Sequence, residues 1–294
     1  MNREMHVAKM VALVVIGVSL VAVPALAQDC VEPPEGLVSW WPGDNNANDI
    51  TDGNNGVLMG GITFAEGMVG PAFLLDGIDS FVDAGNASNL HVSDGDFTVD
   101  AWVLFNALSH PPGWNQGVPP GDMSIVDKMS AIPVNTDGWR LLKQDDNRFW
   151  FCLGKGLPYD GCADPAFTVY STTVATTGVW YHVAAVKNAA TFSIYVNGQL
   201  EDSRPLPSFL DTHSANLRIG SYVLEGSHLN GLIDEVEFFD RALSQPEIQA
   251  IFEAGSAGKC KHGTQIPTAS ATGLVLFVLL LGGVSSFLLR TRAA

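Results

Sequence analysis

Between Gly36 and Phe239, apolar and polar residues alternate in short runs with a period of two, the pattern of half-buried β-strands. The runs "FTVDAWVLF" (97–105), "WRLLKQ" (139–144), "RFWFCLG" (148–154), "WYHVAAVKN" (180–188) and "TFSIYVNGQLE" (191–201) show it, and "LRIGSY" and "GLIDEVEFF" follow. The runs are rich in β-branched and aromatic residues and are split by Gly, Asn and Asp. Asn197-Gly198 has the composition of a type I′ hairpin turn. About a dozen strands at this spacing predict an all-β fold, an antiparallel two-sheet jelly-roll sandwich. A period of 3.6 stands out at one place. In "SQPEIQAIF", Ser244 is an N-cap, Glu247 completes a capping box and Pro246 is tolerated in the first turn. Ile248, Ile251 and Phe252 then form one apolar stripe, so a short C-terminal helix should close against the sandwich. The Pro/Gly-rich stretch Asn106–Met123 is a long loop, a frequent place for function.

The run "GLIDEVEFF" (231–239) carries acids inside a strand pattern. Period two puts Leu232, Asp234, Val236 and Phe238 on one face and Glu235 and Glu237 on the other. A carboxylate among core residues needs a partner. Glu235 and Glu237 would stand about 7 Å apart by strand rise, a separation within the range of paired glycosidase carboxylates.

Both chain ends carry apolar segments of another kind. Arg3 and Lys9 precede Met10–Val23, and Ala25-Leu26-Ala27 is an A-x-A-like cleavage site, so residues 1–27 read as a secretory signal peptide. Gly273–Leu289 is uncharged and is followed by Arg290 and Arg292, as in a transmembrane helix with its arginines on the cytoplasmic side. The division is therefore 1–27 signal peptide, 28–262 jelly-roll domain, 263–271 linker and sorting motif, and 272–294 transmembrane tail.

The chain has 31 acidic and 15 basic residues, a net charge of −16, which disfavours nucleic acid as a partner class. An acidic, Asp-rich surface is compatible with Ca²⁺. An exported domain with four cysteines suggests two disulfides, for which three pairings are possible. Cys152–Cys162 across a hairpin loop and Cys30–Cys260 across the domain ends are favoured; the second requires those ends to be adjacent. Neither H-E-x-x-H nor G-x-S-x-G occurs, which argues against zinc hydrolase and serine esterase chemistry.

"GLVSWWPGDNNANDITDGNNGVLMGG", "GMVGPAFLLDGIDSFVDAG", "FTVDAWV", "GVWYHVAAVKNAATFSIYVNGQLE", "LRIG" and "LNGLIDEVEFFDRALSQPEIQAIF" stand in the order of a LamG-like jellyroll domain. Over about residues 36–254 the chain resembles this laminin G/pentraxin-like group of the concanavalin A-like lectin/glucanase superfamily. The resemblance implies two curved sheets, paired first and last strands and a structural Ca²⁺. Asp234 is the implied metal ligand, with Asp44 and Asp79 as contributors. It also implies, from a looser match, a second ligand position with Asp137 and a rim partner Glu225. The tail resembles bacterial sorting signals of the IPTL-CTERM and PEP-CTERM type through Ile266-Pro267-Thr268, the apolar span and the terminal arginines. That implies delivery to the cell envelope, a membrane partner for the tail and a sortase-like processing protease.

Trp114 and Tyr159 lie in loops and are candidate stacking faces for a sugar ring, whereas Trp150, inside a strand, is expected in the core. The catalytic glucanases of the superfamily carry an E-x-D-x-(x)-E run on a central strand, and this sequence has none. The expectation is an exported, Ca²⁺-stabilised, non-catalytic binding module at a bacterial envelope or secreted, for carbohydrate or a matrix or surface protein. The alternatives are a glycoside-active enzyme on the same fold and a purely structural or adhesive surface protein.

Overall fold

The alternating runs are strands in the computed structural model, which describes residues 30–92, 95–110, 119–130, 137–154, 162, 164–207, 215–222 and 227–261. Fifteen strands run through these residues. Eight form one sheet. Its order is β13 (Gln199–Pro205), β12 (Thr191–Val196), β11 (Trp180–Lys187), β6 (Phe97–Phe105), β15 (Asn230–Phe239), β4 (Pro71–Asp76) and β3 (Thr63–Glu66), with β1 (Leu37–Trp41) paired to the far half of β15. Seven form the other, in the order β10 (Thr168–Val174), β9 (Arg148–Leu153), β8 (Gly138–Lys143), β7 (Met123–Met129), β14 (Leu217–Ile219), β5 (Phe81–Gly85) and β2 (Val57–Met59). The pairings within both sheets are antiparallel.

Alternation decides which side chains meet between the sheets. Phe97, Val99, Ala101, Val103 and Phe105 of β6 point inward, and so do Trp139 and Leu141 of β8 and Phe149 and Phe151 of β9. Phe97, Trp139 and Phe238 form a ring cluster, with centroids 5.3 Å apart for Phe97–Trp139 and 6.1 Å for Trp139–Phe238. Asn197 and Gly198 adopt φ of 50° and 76°, the double left-handed turn that the Asn-Gly pair favours. Gly138 (φ 93°) lies so close to the Lys128 carbonyl that any side chain there would collide with it.

The helix α1 (Gln245–Ala254) packs on the outer face of the eight-stranded sheet, where Ile248 and Ile251 meet Ala184, Val186, Phe239 and Leu243. Its N-terminus is held by Glu247, whose Oε2 accepts from the Ser244 N–H (2.8 Å) and hydroxyl (2.7 Å). Arg241 adds a 2.6 Å ion pair to the same carboxylate. Arg241 first, and Ser244 with it, pull Glu247 down to about 2.

Cys30–Cys260 and Cys152–Cys162 are both disulfide-bonded, with Cα atoms 5.0 Å apart in each case. The first is possible because β1 pairs with β15 and Val31 bridges Lys259 in parallel, which brings the two ends of the domain together. Among the described residues no helix is long and apolar enough to cross a membrane. Residues 1–27, the motif Ile266-Pro267-Thr268 and the 272–294 tail lie outside the described residues.

Candidate functional site

The last strand departs from simple alternation. Its register against β6 shifts between Asp234 and Glu237, and Glu235 has φ 51°. One extra residue here is a β-bulge. Ile233, Val236 and Phe238 therefore face the core, while Asp234 turns to the opposite side with Glu235 and Glu237. The sequence placed Asp234 on the apolar face; the bulge is the reason it is not there. Glu235 and Glu237 are not solvated either, being 1% and 0% exposed.

Asp234 Oδ2 accepts the Val69 N–H at 2.8 Å, and its buried Oδ1 has no hydrogen-bond partner. Burial first, then the charge of Glu235, pushes the carboxyl up to about 8. Asp44 stands at the same Gly67–Gly70 turn and pairs with Lys261 Nζ at 2.7 Å. Asp79 does not join them. It is exposed in the turn after β4, beyond the Asn230↔Asp76 pair. Asp234 lies four residues further along β15, about 13 Å away by strand rise. Among the described residues, no group of three or more His, Cys, Asp or Glu converges in a form that could hold a metal. Asp234 offers one unpartnered oxygen, its other oxygen accepts the Val69 N–H, and Asp44 is held by the Lys261 ammonium, so these residues supply few of the roughly six to eight oxygens that calcium takes. That arrangement does not fit the oxygen shell of calcium.

The other candidates divide in the same way. Asp137 is buried just before β8, where Ser130 Oγ donates to its Oδ1 and Ser130 N–H donates to its carbonyl (2.9 Å). Its expected partner Glu225 lies outside the described residues, as do Trp114 and Tyr159. Lys143 does hold the long loop's described feet. Its buried Nζ donates to the carbonyls of Leu108 (2.7 Å), Gly121 (2.5 Å) and Gln144 (3.2 Å) and to Asn147 Oδ1 (3.2 Å).

The outer face of the seven-stranded sheet is polar and aromatic; Asp127 and Arg140 at its centre are buried, and Trp150 and Tyr170 towards the β10 edge are partly exposed. Asp83, Arg218, Asp127 and Arg140 are cross-strand neighbours on β5, β14, β7 and β8, a row of alternating charge. Arg140 pairs through Nε with Asp127 Oδ2 at 2.6 Å, donates from Nη2 to Ser124 Oγ at 3.0 Å and stacks its guanidinium 4.0 Å from the Tyr222 ring centroid. Alongside runs the row Leu142–Trp150–Tyr170. The Trp150 and Tyr170 rings lie 5.3 Å apart and 31° from parallel, and both are half-buried. Trp150 Nε1 donates to Asp146 Oδ1 at 3.2 Å, and Arg148 and Arg204 lie 5.6 and 5.2 Å from the Tyr170 ring. The Cys152–Cys162 bridge packs with Leu142 and Tyr222 as an apolar footing next to Trp150. Trp150 is thus on the outer face, not in the core. Its neighbours Phe149 and Phe151 point inward, so alternation alone sends Trp150 outward.

Residues 76–249, more than half of the chain, match the Laminin_G_3 family of the concanavalin A-like lectin/glucanases superfamily. The chain belongs to this family. Among solved structures, this member resembles domain 4 of AbnA, a GH43 extracellular arabinanase from Geobacillus stearothermophilus, in complex with arabinotriose. That likeness has 20% identity and a TM-score of 0.53, and covers 72% of this chain and 96% of the other. It also resembles the binding domain of Paraclostridial Mosquitocidal Protein 1 (16% identity, TM-score 0.56, 74% of this chain) and a structure of botulinum neurotoxin type C, whose cell entry is dependent upon interaction with two ganglioside molecules (16% identity, TM-score 0.53, 74% of this chain). It spans about half of the latter two, 52% and 51%. At these identities the likeness is one of fold. No curated protein sequence matches the chain.

Proposed function

We propose that this laminin G-like domain is an exported, non-catalytic carbohydrate-binding module, and that glycan lies on the outer face of the seven-stranded sheet across Trp150 and Tyr170. The observation that carries the reading is the half-buried ring pair beside polar groups. A sugar presents C–H bonds to an aromatic face and hydroxyls at its edge. Here the rings supply the face, and Asp146, Arg148 and Arg204 supply donors and acceptors at its rim. Export is supported by the N-terminal apolar segment with its A-x-A site and by the two disulfides. The C-terminal apolar segment is kept as a membrane anchor in the same proposal.

A glycosidase would need a carboxyl able to give a proton beside a second carboxylate. On this face Asp127 is clamped by Arg140, and Asp83 lies 4.0 Å from Arg218. Glu235 and Glu237 are buried on the other sheet. The second reading is a protein partner, favoured by the edge strand β2, where Val57, Leu58 and Met59 are 60%, 40% and 40% exposed. A glycan array probed with the full chain separates the two. Retention of a defined set of oligosaccharides supports the first, and an array with no retained glycan, in calcium and in EDTA alike, removes it.

A further inference from the structure

The tripeptide Lys259-Cys260-Lys261 ends the described chain, and its two ammonium groups reach into the carboxylates of β15. Lys259 Nζ lies 2.9 Å from Glu237 Oε1 and 4.0 Å from Glu235 Oε2. Lys261 Nζ lies 3.1 Å from Glu235 Oε1 and 2.7 Å from Asp44 Oδ2. Both sit near the Trp40 ring, at 5.4 and 5.9 Å, and the Trp40 indole donates to Glu235 Oε2 at 3.0 Å. Asp100 of β6 is the cross-strand neighbour of Glu237 and holds His182 of β11 at 2.9 Å. Four carboxyls, Asp100, Asp234, Glu235 and Glu237, are thus no more than 1% exposed on one patch.

Without the two lysines, that patch would be a buried cluster of like charge, which several kcal/mol per ion would oppose. Even with them, burial raises Glu235 and Glu237 above the ordinary carboxylate range. Burial alone would pull the lysines down; Glu237, Asp100 and Glu235 hold Lys259 up, and Glu235 and Asp44 hold Lys261 up. The backbone bonds between this stretch and the N-terminal segment are Val31 N–H to Gly258 O (3.0 Å) and Cys260 N–H to Val31 O (2.9 Å), and the covalent tie is Cys30–Cys260.

We propose that Lys259-Cys260-Lys261 is a disulfide-held cationic latch. Its ammonium groups are the internal counter-cation of the last strand, so the pairing of β1 with β15 depends on the Cys30–Cys260 bond and not on a divalent cation. The inference is independent of the glycan reading, because the latch lies on the opposite sheet.

The test is amine acylation of the full chain, read by peptide mass spectrometry well below the melting temperature, on the wild type and on Cys30→Ser/Cys260→Ser. Lys259 is 5% exposed in the folded protein, and Lys128 and Lys187, at 1% each, are buried elsewhere as internal controls. In the variant, Lys259 should label at least about tenfold faster while the controls stay protected, the sign of local opening. Labelling of Lys259 at the wild-type rate would show that the disulfide does not hold the latch. Acceleration of all three together would show only global loss of stability, and it too would overturn the proposal. A second measurement is the melting temperature: the wild type should melt within about 1 °C in millimolar calcium and in EDTA, since a ligand stabilises only the state that binds it. A rise of several degrees in calcium that is lost in Asp234→Asn would put a metal where the latch is assigned and overturn the proposal.

Discussion

Glu235 holds a left-handed backbone conformation that residues other than glycine seldom adopt, and one residue in that state reverses the orientation of Asp234. The consequence is a carboxyl with a folded pKa of about 8 against an ordinary value of 3.8. Below the lower value both folded and unfolded chains hold the proton. Between the two values only the folded chain does, so this group's contribution to stability is lost as pH rises towards about 8 and changes no further above it. The melting temperature should therefore fall between pH 5 and pH 8, and Asp234→Asn, neutral at every pH, should give a shallower profile. Calorimetry across that range checks it; equal slopes would assign the effect to Glu235 and Glu237 alone. Lys143 is the second residue with a large expected effect. Lys143→Met leaves the carbonyls of Leu108 and Gly121 without their donor and should cost about 2–4 kcal/mol in denaturant titration. A cost under about 0.5 kcal/mol would mean that the loop's feet do not depend on the ammonium.

At the scale of elements, α1 offers a contained test. Glu247→Gln removes the charge that faces both Ser244 and Arg241, and should cost about 1 kcal/mol, seen as a lower urea midpoint at unchanged slope. An unchanged midpoint would contradict the capping account. This helix was legible because a capping box and an i, i+3, i+4 stripe coincide in ten residues. The strands β6, β8, β9 and β11 were legible to within a residue at each end for a similar reason: their inward residues are apolar except for Lys143 and Lys187 at strand ends. Two features were not. The bulge in β15 sits on a glutamate, and nothing in its composition announces a left-handed residue. Trp150 was read by residue type, as a core aromatic, although its place between Phe149 and Phe151 already marked the outer face. The Trp150–Tyr170 pair itself needs the β9–β10 register, which alternation does not supply.

On the scale of the whole molecule, the pairing of the first strand with the last brings Cys30 to Cys260, and the two sheets of the sandwich present two different outer faces. One is covered by α1 and the latch, and its charges are matched internally. The other carries rings and a row of alternating charge with no helix over it among the described residues. Binding is assigned to that second face. The measurement that tests it most directly is calorimetric titration of the oligosaccharide best retained on the array into the wild type, Trp150→Ala and Tyr170→Ala. Loss of a stacking ring should weaken binding about tenfold or more in each variant, with the melting temperature shifted by no more than about 3 °C. Affinity unchanged in both variants, at equal fold stability, would contradict the assignment of this face.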